Sequence, residues 1–231
     1  MAKKDYSEDL LIQAPTAEFL EKEMGWKSVM AWDEEDFGPD SLLGRASDKE
    51  GALTREVAAA LRRLNPGLPE EAYAQALSEV LKEDATKTAL QLNQEKYALL
   101  RDGVLVRYRN KAGEKVDGRL KLVDFEDASQ NSYVAVRELW VRGRMWLRRT
   151  DILGFVNGLP LVFMELKRFE AHVDSAYKKN YSDYLDTIPH LFHWNALVIL
   201  SNGHDARFGS LTASLAHFYR WKRLDHLRQD V

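Results

Sequence analysis

At Gly103 the spacing of apolar residues changes from helical to alternating, and that switch limits the folds open to this chain. Before it, DKEGALTREVAAALRRL, PEEAYAQALSEVLKE and TALQLNQEKYALL repeat apolar side chains every three or four residues, the pattern of helices buried along one face. NPGLP separates the first two, with Pro69 at a favoured first-turn position, and Gly103 stops the third. The shorter TAEFLEKEMGW predicts a helix capped by Thr16, with Phe19, Leu20 and Met24 at helical spacing and Gly25 at its end. The acidic DEEDFGPDS reads as a loop.

After Gly103, GVLVRYR, GRLKLVDF, SYVAVRELWV and RMWLRRTDILGF are divided by the turn-rich KAGEKVD, EDASQN and RG, which predicts an antiparallel meander. Beyond Lys167 the helical period returns in VDSAYKKNYSDYLDTI. Two short strands, ALVILS and ARFGS, follow around NGH, and then an aromatic-basic tail, HFYRWKRLDHLRQ. Helices followed by a mixed sheet with a late crossover helix place the chain in the α/β (α+β) class.

At 231 residues and 45% apolar, the chain is long enough for a substantial core. It has no cysteine, which excludes disulfides and thiolate metal sites and suits a reducing compartment. MAKKDYSEDLL lacks the apolar centre of a signal peptide, and no run approaches the roughly 18 apolar residues of a membrane span, so a cytoplasmic protein is expected. The net charge of −3 is unevenly spread. Residues 1–100 carry 12 basic and 20 acidic side chains, whereas residues 101–231 carry 21 and 16, so a polyanion is expected to meet the C-terminal half.

The stretch DILGFVNGLPLVFMELK, from Asp151 to Lys167, is otherwise apolar but carries three ionisable groups, Asp151, Glu165 and Lys167. Val156-Asn157-Gly158 signals a hairpin. Parity then matters, because neighbours in a strand alternate between faces. A two-residue turn sets Asp151 opposite Met164 and sends Glu165 to the other face, whereas an odd-length loop brings Asp151 and Glu165 together with Lys167 beside them. If the charges act jointly, the loop is expected to be odd.

Two carboxylates converging in an apolar sheet repel each other, and a hard divalent cation such as Mg²⁺ relieves that repulsion. A nearby lysine can orient water or offset charge on a phosphate, so the set suits phosphodiester hydrolysis. On spacing alone, a cross-strand salt bridge is the competing reading.

The same residues resemble the catalytic hairpin of the PD-(D/E)XK nuclease superfamily, in the form found at the N-terminus of the restriction (motor) subunit of type I restriction-modification enzymes. SLLGRASDKEGAL, ALRRLNPGLPEEAYAQAL, LLRDGVLVRYRN, the hairpin, YLDTIPHLFHWNALVILSNGHDARFGS and HFYRWKRLD follow that family's order, so the resemblance covers nearly the whole chain. It implies a restriction-endonuclease-like mixed sheet flanked by helices, within a single nuclease domain. Residues 1–102 would be its mainly helical part, 103–216 the catalytic core, and 217–231 a linker toward a motor region.

By resemblance, Asp151 and Glu165 are metal ligands for Mg²⁺, and Lys167 acts on water or phosphate. A helix glutamate near the metal is expected at Glu18, with Glu21 in reserve. The family's Gln-x-x-x-Tyr motif falls on Asn180 and Tyr184, where asparagine keeps the amide with one methylene less. Thr150 stands where proline often precedes the aspartate. The resemblance further implies double-stranded DNA as substrate and methylation and specificity subunits as partners. ATP would serve only the motor region, since this chain contains no GxxxxGK[ST].

Arg142, Arg144, Arg148 and Arg149 in VRGRMWLRRTD offer phosphate contacts close to the hairpin, extended by Arg168, Lys178 and Lys179. His190 and His193 have ligand-like spacing but no matching group elsewhere, and Phe218, Tyr219 and Trp221 suit packing better than base stacking. A non-catalytic DNA-binding or docking module with the same fold is the alternative function.

Overall fold

The computed structural model describes residues 12–31 and 35–222. The N-terminal MAKKDYSEDLL, residues 32–34 of the acidic loop and residues 223–231 of the tail lie outside them. Five α-helices and eleven strands are present among the described residues. They give the expected restriction-endonuclease-like mixed α/β architecture.

Helix α1 spans Ala14–Lys22 and starts earlier than Thr16 predicts. Thr16 lies inside it, donating from Oγ1 to the Ile12 carbonyl at 2.7 Å. The periodic segments before Gly103 become α2 (Thr54–Leu64), α3 (Glu70–Leu81) and α4 (Ala89–Asp102). Thr88 and Gln91 form a capping box that fixes the start of α4, and Gly103 ends it at a positive φ of 78°.

The expected meander is divided. Strands β2 (Val104–Arg109) and β3 (Lys115–Leu120) form a separate ribbon that buries Val104, Val106 and Leu120 against α2 and α3. A second ribbon pairs β5 (Trp140–Arg142) with β6 (Leu147–Arg149). The central sheet has seven strands in the order β1-β4-β7-β8-β9-β10-β11. These are Lys27–Met30, Tyr133–Arg137, Ile152–Val156, Leu159–Leu166, Leu197–Ser201, Ala206–Gly209 and Tyr219–Arg220.

Two of these strands run against the sequence reading. β1 arises from KSVM in the part read as helical and pairs in parallel with β4. β11 arises from the part read as linker and pairs with β10. The β8–β9 pair is parallel, and its connection contains a π-helical turn, Ala176–Tyr181, running into α5 (Ser182–Thr187).

The two faces of the central sheet are packed differently. Ile152, Met164 and Leu166 meet Ile12, Ala17 and Leu20 at α1. Leu153 and Phe163 point the other way, onto Ala176, Tyr181, Tyr184 and Phe192 of the crossover. Alternation assigns Asp151 and Glu165 to this second face.

The hairpin reaches that arrangement by a different device from the expected odd loop. Val156 is opposite Leu159, so the turn has two residues, Asn157 and Gly158. Their φ values of 51° and 82° are the left-handed pair that a type I′ turn needs. A Cβ on Gly158 would lie 2.7 Å from the Leu53 carbonyl oxygen, so glycine is required for packing as well.

Asn157 is buried and well partnered. Its Nδ2 donates to the Leu122 carbonyl at 2.9 Å, and its Oδ1 accepts from Ser132 N at 2.8 Å and from the Arg63 guanidinium at 2.7 Å. The odd residue is in the strand. Phe155 faces Pro160 but Gly154 faces Val162, which leaves Leu161 as a bulge in β8. Pro160 has no N–H to contribute at that point, and the Leu161 carbonyl accepts from Ala196 N at 2.8 Å as the chain turns to pair with β9. Ile152 is therefore opposite Met164, and one residue further Asp151 stands across from Glu165.

Candidate active site

Asp151 follows the end of β6 by two residues and precedes β7 by one. Its Oδ2 accepts from Leu166 N at 2.6 Å and its Oδ1 from Gln13 Nε2 at 3.2 Å. The backbone around it is held as firmly: Glu138 N donates to the Asp151 carbonyl and Thr150 N to the Leu139 carbonyl, both at 3.0 Å. Thr150, fully buried, also turns its hydroxyl to the Leu139 carbonyl, a contact proline could not make.

Glu165 is fully buried. Lys167 Nζ lies 2.6 Å from its Oε1 and 3.2 Å from the Leu166 carbonyl oxygen. The ammonium thus rests on two hard oxygens from consecutive residues, one of them anionic. Asp151, Glu165 and Lys167 are therefore brought together by the bulged register. This donor set fits a divalent cation, since carboxylate and carbonyl oxygens are the ligands Mg²⁺ prefers, and a positive group already sits on two of them. Among the described residues, no group of three or more His, Cys, Asp or Glu side chains forms a ready-made metal cage.

Tyr184, on α5, is buried against Phe163 and donates its hydroxyl to the Arg149 carbonyl at 2.8 Å. Burial, followed by the negative charges of Glu165 and Asp151, raises its pKa far above the ordinary phenol value, against a smaller opposing effect from its hydrogen bond with Asn180. Asn180 and Tyr184 are thus in contact, and the phenol stays protonated next to the carboxylates. Its hydroxyl restrains the backbone two residues before Asp151, a role that spacing alone does not reveal.

Glu18 does not join this group. Its side chain is 58% exposed and ion-paired with Lys22 one turn on, and Glu21 also faces solvent. The periodicity of α1 explains the difference, because Ala17 and Leu20 take the buried stripe and push positions 18 and 21 outward. The group of α1 that reaches Asp151 is Gln13, which sequence reasoning missed; its place one turn ahead of Ala17 on the buried stripe is the signal that could have found it.

Three of the four hairpin arginines are committed to carboxylates distant in sequence. Arg142 Nε is 2.7 Å from Asp48, Arg148 binds Asp183 of α5 through two nitrogens at 2.6 and 3.0 Å, and Arg149 Nε is 2.5 Å from the buried Glu138. Arg148 also stacks on Trp146, and Arg149 on Trp140. Arg144 is exposed and has no carboxylate partner among the described residues. The ribbon tip is pressed against α5, where a Cβ on Gly143 would fall 1.8 Å from the Thr187 carbonyl oxygen.

Arg168, Lys178 and Lys179 are exposed. His193 is buried and His190 half-buried beside Lys96 and Trp194, remote in the chain from the carboxylate pair. Phe218 is buried in the core as packing predicts, while Tyr219 and Trp221 are exposed and lean on Phe208. No helix among the described residues is long and apolar enough to cross a membrane.

Comparison with known proteins supplies a family context for this geometry. Over 170 residues, 72% of its length, the chain is 42% identical to the type I restriction enzyme HindI endonuclease subunit of Haemophilus influenzae. It is 25% identical over 189 residues, 78% of its length, to a Methanocaldococcus jannaschii protein provisionally named as the type I restriction enzyme MjaIXP endonuclease subunit. The chain spans 16% and 18% of the length of these two relatives. Residues 5–217 match the family described as type I restriction enzyme R protein N terminus, and this chain belongs to that family.

Proposed function

We propose that the chain is the nuclease domain of a type I restriction enzyme subunit and that it hydrolyses phosphodiester bonds in double-stranded DNA with Mg²⁺ held by Asp151 and Glu165. The observation that carries this reading is the Leu161 bulge, which sets two carboxylates across from each other with Lys167 Nζ 2.6 Å from Glu165. An ordinary two-residue hairpin would have separated them. When bound, Mg²⁺ supplies Lewis-acid stabilisation of phosphate charge and a more acidic water.

The side chains divide the remaining work. The Asp151 side chain is held in place by the N–H groups of Leu166 and Gln13. Lys167, already resting on Glu165, is placed to hold the attacking water or to offset charge on the scissile phosphate. Tyr184 remains a hydrogen-bond donor and fixes the approach to Asp151 through the Arg149 carbonyl. Arg144 is the hairpin cation best placed for a phosphate, since Arg142, Arg148 and Arg149 each have a carboxylate partner. In an assembled cytoplasmic enzyme, methylation and specificity subunits would select the DNA, and an ATP-driven motor region of the same subunit would move it.

The Glu165–Lys167 contact is itself a satisfied ion pair, which favours a second reading as a non-catalytic DNA-binding or docking module. Calorimetric titration of the wild-type chain and Asp151→Asn with Mn²⁺ separates the two. The nuclease reading expects binding that the substitution abolishes, and equal heats for both proteins would overturn it.

A further inference from the structure

The turn that leads into α1 holds a polar atom that the contacts described so far do not explain. Gln13 is 3% exposed, and its Oε1 is buried without a hydrogen-bond partner. Its orientation is determined by its neighbour: Asp151 Oδ1, as a carboxylate oxygen, accepts from Nε2, so the amide oxygen is the end left over. Neighbouring Ile12, Ala17 and Leu20 are packed on Ala135, Ile152, Met164 and Leu166, which keeps the amide from swinging out to water. A buried acceptor with no donor calls for an ion or an ordered water.

We propose that Gln13 Oε1 is a neutral oxygen ligand of the divalent cation held by Asp151 and Glu165, so that α1 enters the site through an amide and not through a carboxylate. This inference rests on the metal-binding reading above. It accounts for a residue at this position that both donates to Asp151 and presents an oxygen, two properties that an amide side chain combines on separate atoms. It also sets the charge of the site. Two carboxylates already balance a divalent cation, and a neutral amide oxygen adds a ligand without adding the third negative charge that would repel a phosphate. The free protein should therefore hold the cation weakly, and a phosphate-bearing strand should tighten it.

The test is Mn²⁺ titration of the 231-residue chain, read both by calorimetry and by water-proton relaxation, which reports how many waters the bound ion retains. Wild type, Asp151→Asn, Gln13→Ala and Gln13→Glu are compared after circular dichroism has confirmed folding. Gln13→Ala should weaken Mn²⁺ binding about tenfold and raise the relaxation per bound ion, as one water replaces the lost ligand. Gln13→Glu should bind Mn²⁺ more tightly than wild type. If Gln13 serves only as a donor to Asp151, glutamate removes the donor and sets a like charge beside the carboxylate, so weaker binding by Gln13→Glu would overturn the proposal. So would unchanged affinity and relaxation in Gln13→Ala when Asp151→Asn has lost binding, a result that leaves the metal site itself standing. Absence of Mn²⁺ uptake by wild type would remove both. Should Gln13→Ala fail to fold, the sign of the Gln13→Glu effect decides alone.

Discussion

Asp151 accepts the backbone N–H of Leu166 at 2.6 Å, so a side-chain carboxylate takes over where the backbone ladder between β7 and β8 ends. That substitution depends on register, and register depends on one residue, Leu161. A slip by one would deliver Asp151 to Met164 and turn Glu165 to the α1 face.

Deleting Leu161 makes Phe155–Pro160 and Gly154–Val162 consecutive pairs and keeps Ile152 opposite Met164, so a bulge-free hairpin of this shorter length still sets Asp151 across from Glu165. The folded deletion variant is therefore expected to retain Mn²⁺ uptake. Mn²⁺ calorimetry checks this, and loss of uptake by the folded variant would contradict the account of the bulge as a device that sets register.

The arginines should separate into two groups. Arg144→Ala is expected to leave stability unchanged and to lower the slope of log K against log salt for DNA binding by about one. Arg148→Ala should instead cost about 1–3 kcal/mol in urea unfolding, because it strips Asp183 of a two-point partner and Trp146 of its stacked cation. Equal effects of both substitutions on stability would refute the division.

His193 supplies a pH test of the core under α4. Burial first, then the positive charges of His190 and Lys96, lowers its pKa from 6.5 to about 4. It borders a cavity of about 370 Å³ that Lys49, Lys82, Glu83, Lys96 and His190 also line. Between the two pKa values the unfolded chain binds a proton that the folded chain does not, so this contribution is fully present above pH 6.5 and declines as pH falls toward 4. The stability loss over that interval should be roughly 2–3 kcal/mol and should shrink in His193→Gln, as urea unfolding at pH 7 and pH 4.5 will show. A slope identical to that of wild type would exclude His193 as its source.

The parts of this fold legible in sequence are those settled locally. Thr88 with Gln91 and the glycine at 103 bound α4 by capping chemistry that lies within its own residues. Asn157-Gly158 declared a turn for the same reason. What local pattern could not supply is what distant pairing decides. KSVM is too short to read as a strand and becomes one only by pairing beside β4, more than 100 residues away.

The site divides along the same line. Asp151, Glu165 and Lys167 were legible because their order in one hairpin matches a family pattern. Parity demands one odd residue in the hairpin, and the local pattern offers only the turn for it, whereas a bulge follows from the demands of neighbouring strands, here Pro160 and the start of pairing with β9. The family resemblance points to Glu18 on α1, yet helix phase turns that side chain outward and brings Gln13 to Asp151. The arginines read as one basic surface, since Asp48, Glu138 and Asp183, which neutralise three of them, approach only in the folded chain.

The central claim is that this hairpin is a phosphodiesterase site in which Lys167 acts on water or phosphate. Its most direct measurement is double-stranded DNA cleavage by the assembled full-length enzyme carrying Lys167→Ala, with folding and Mn²⁺ binding verified on the same protein. Cleavage is predicted to fall at least about 10²-fold with the metal still bound, the scale expected on losing an electrostatic catalytic group. Cleavage at the wild-type rate would contradict the account.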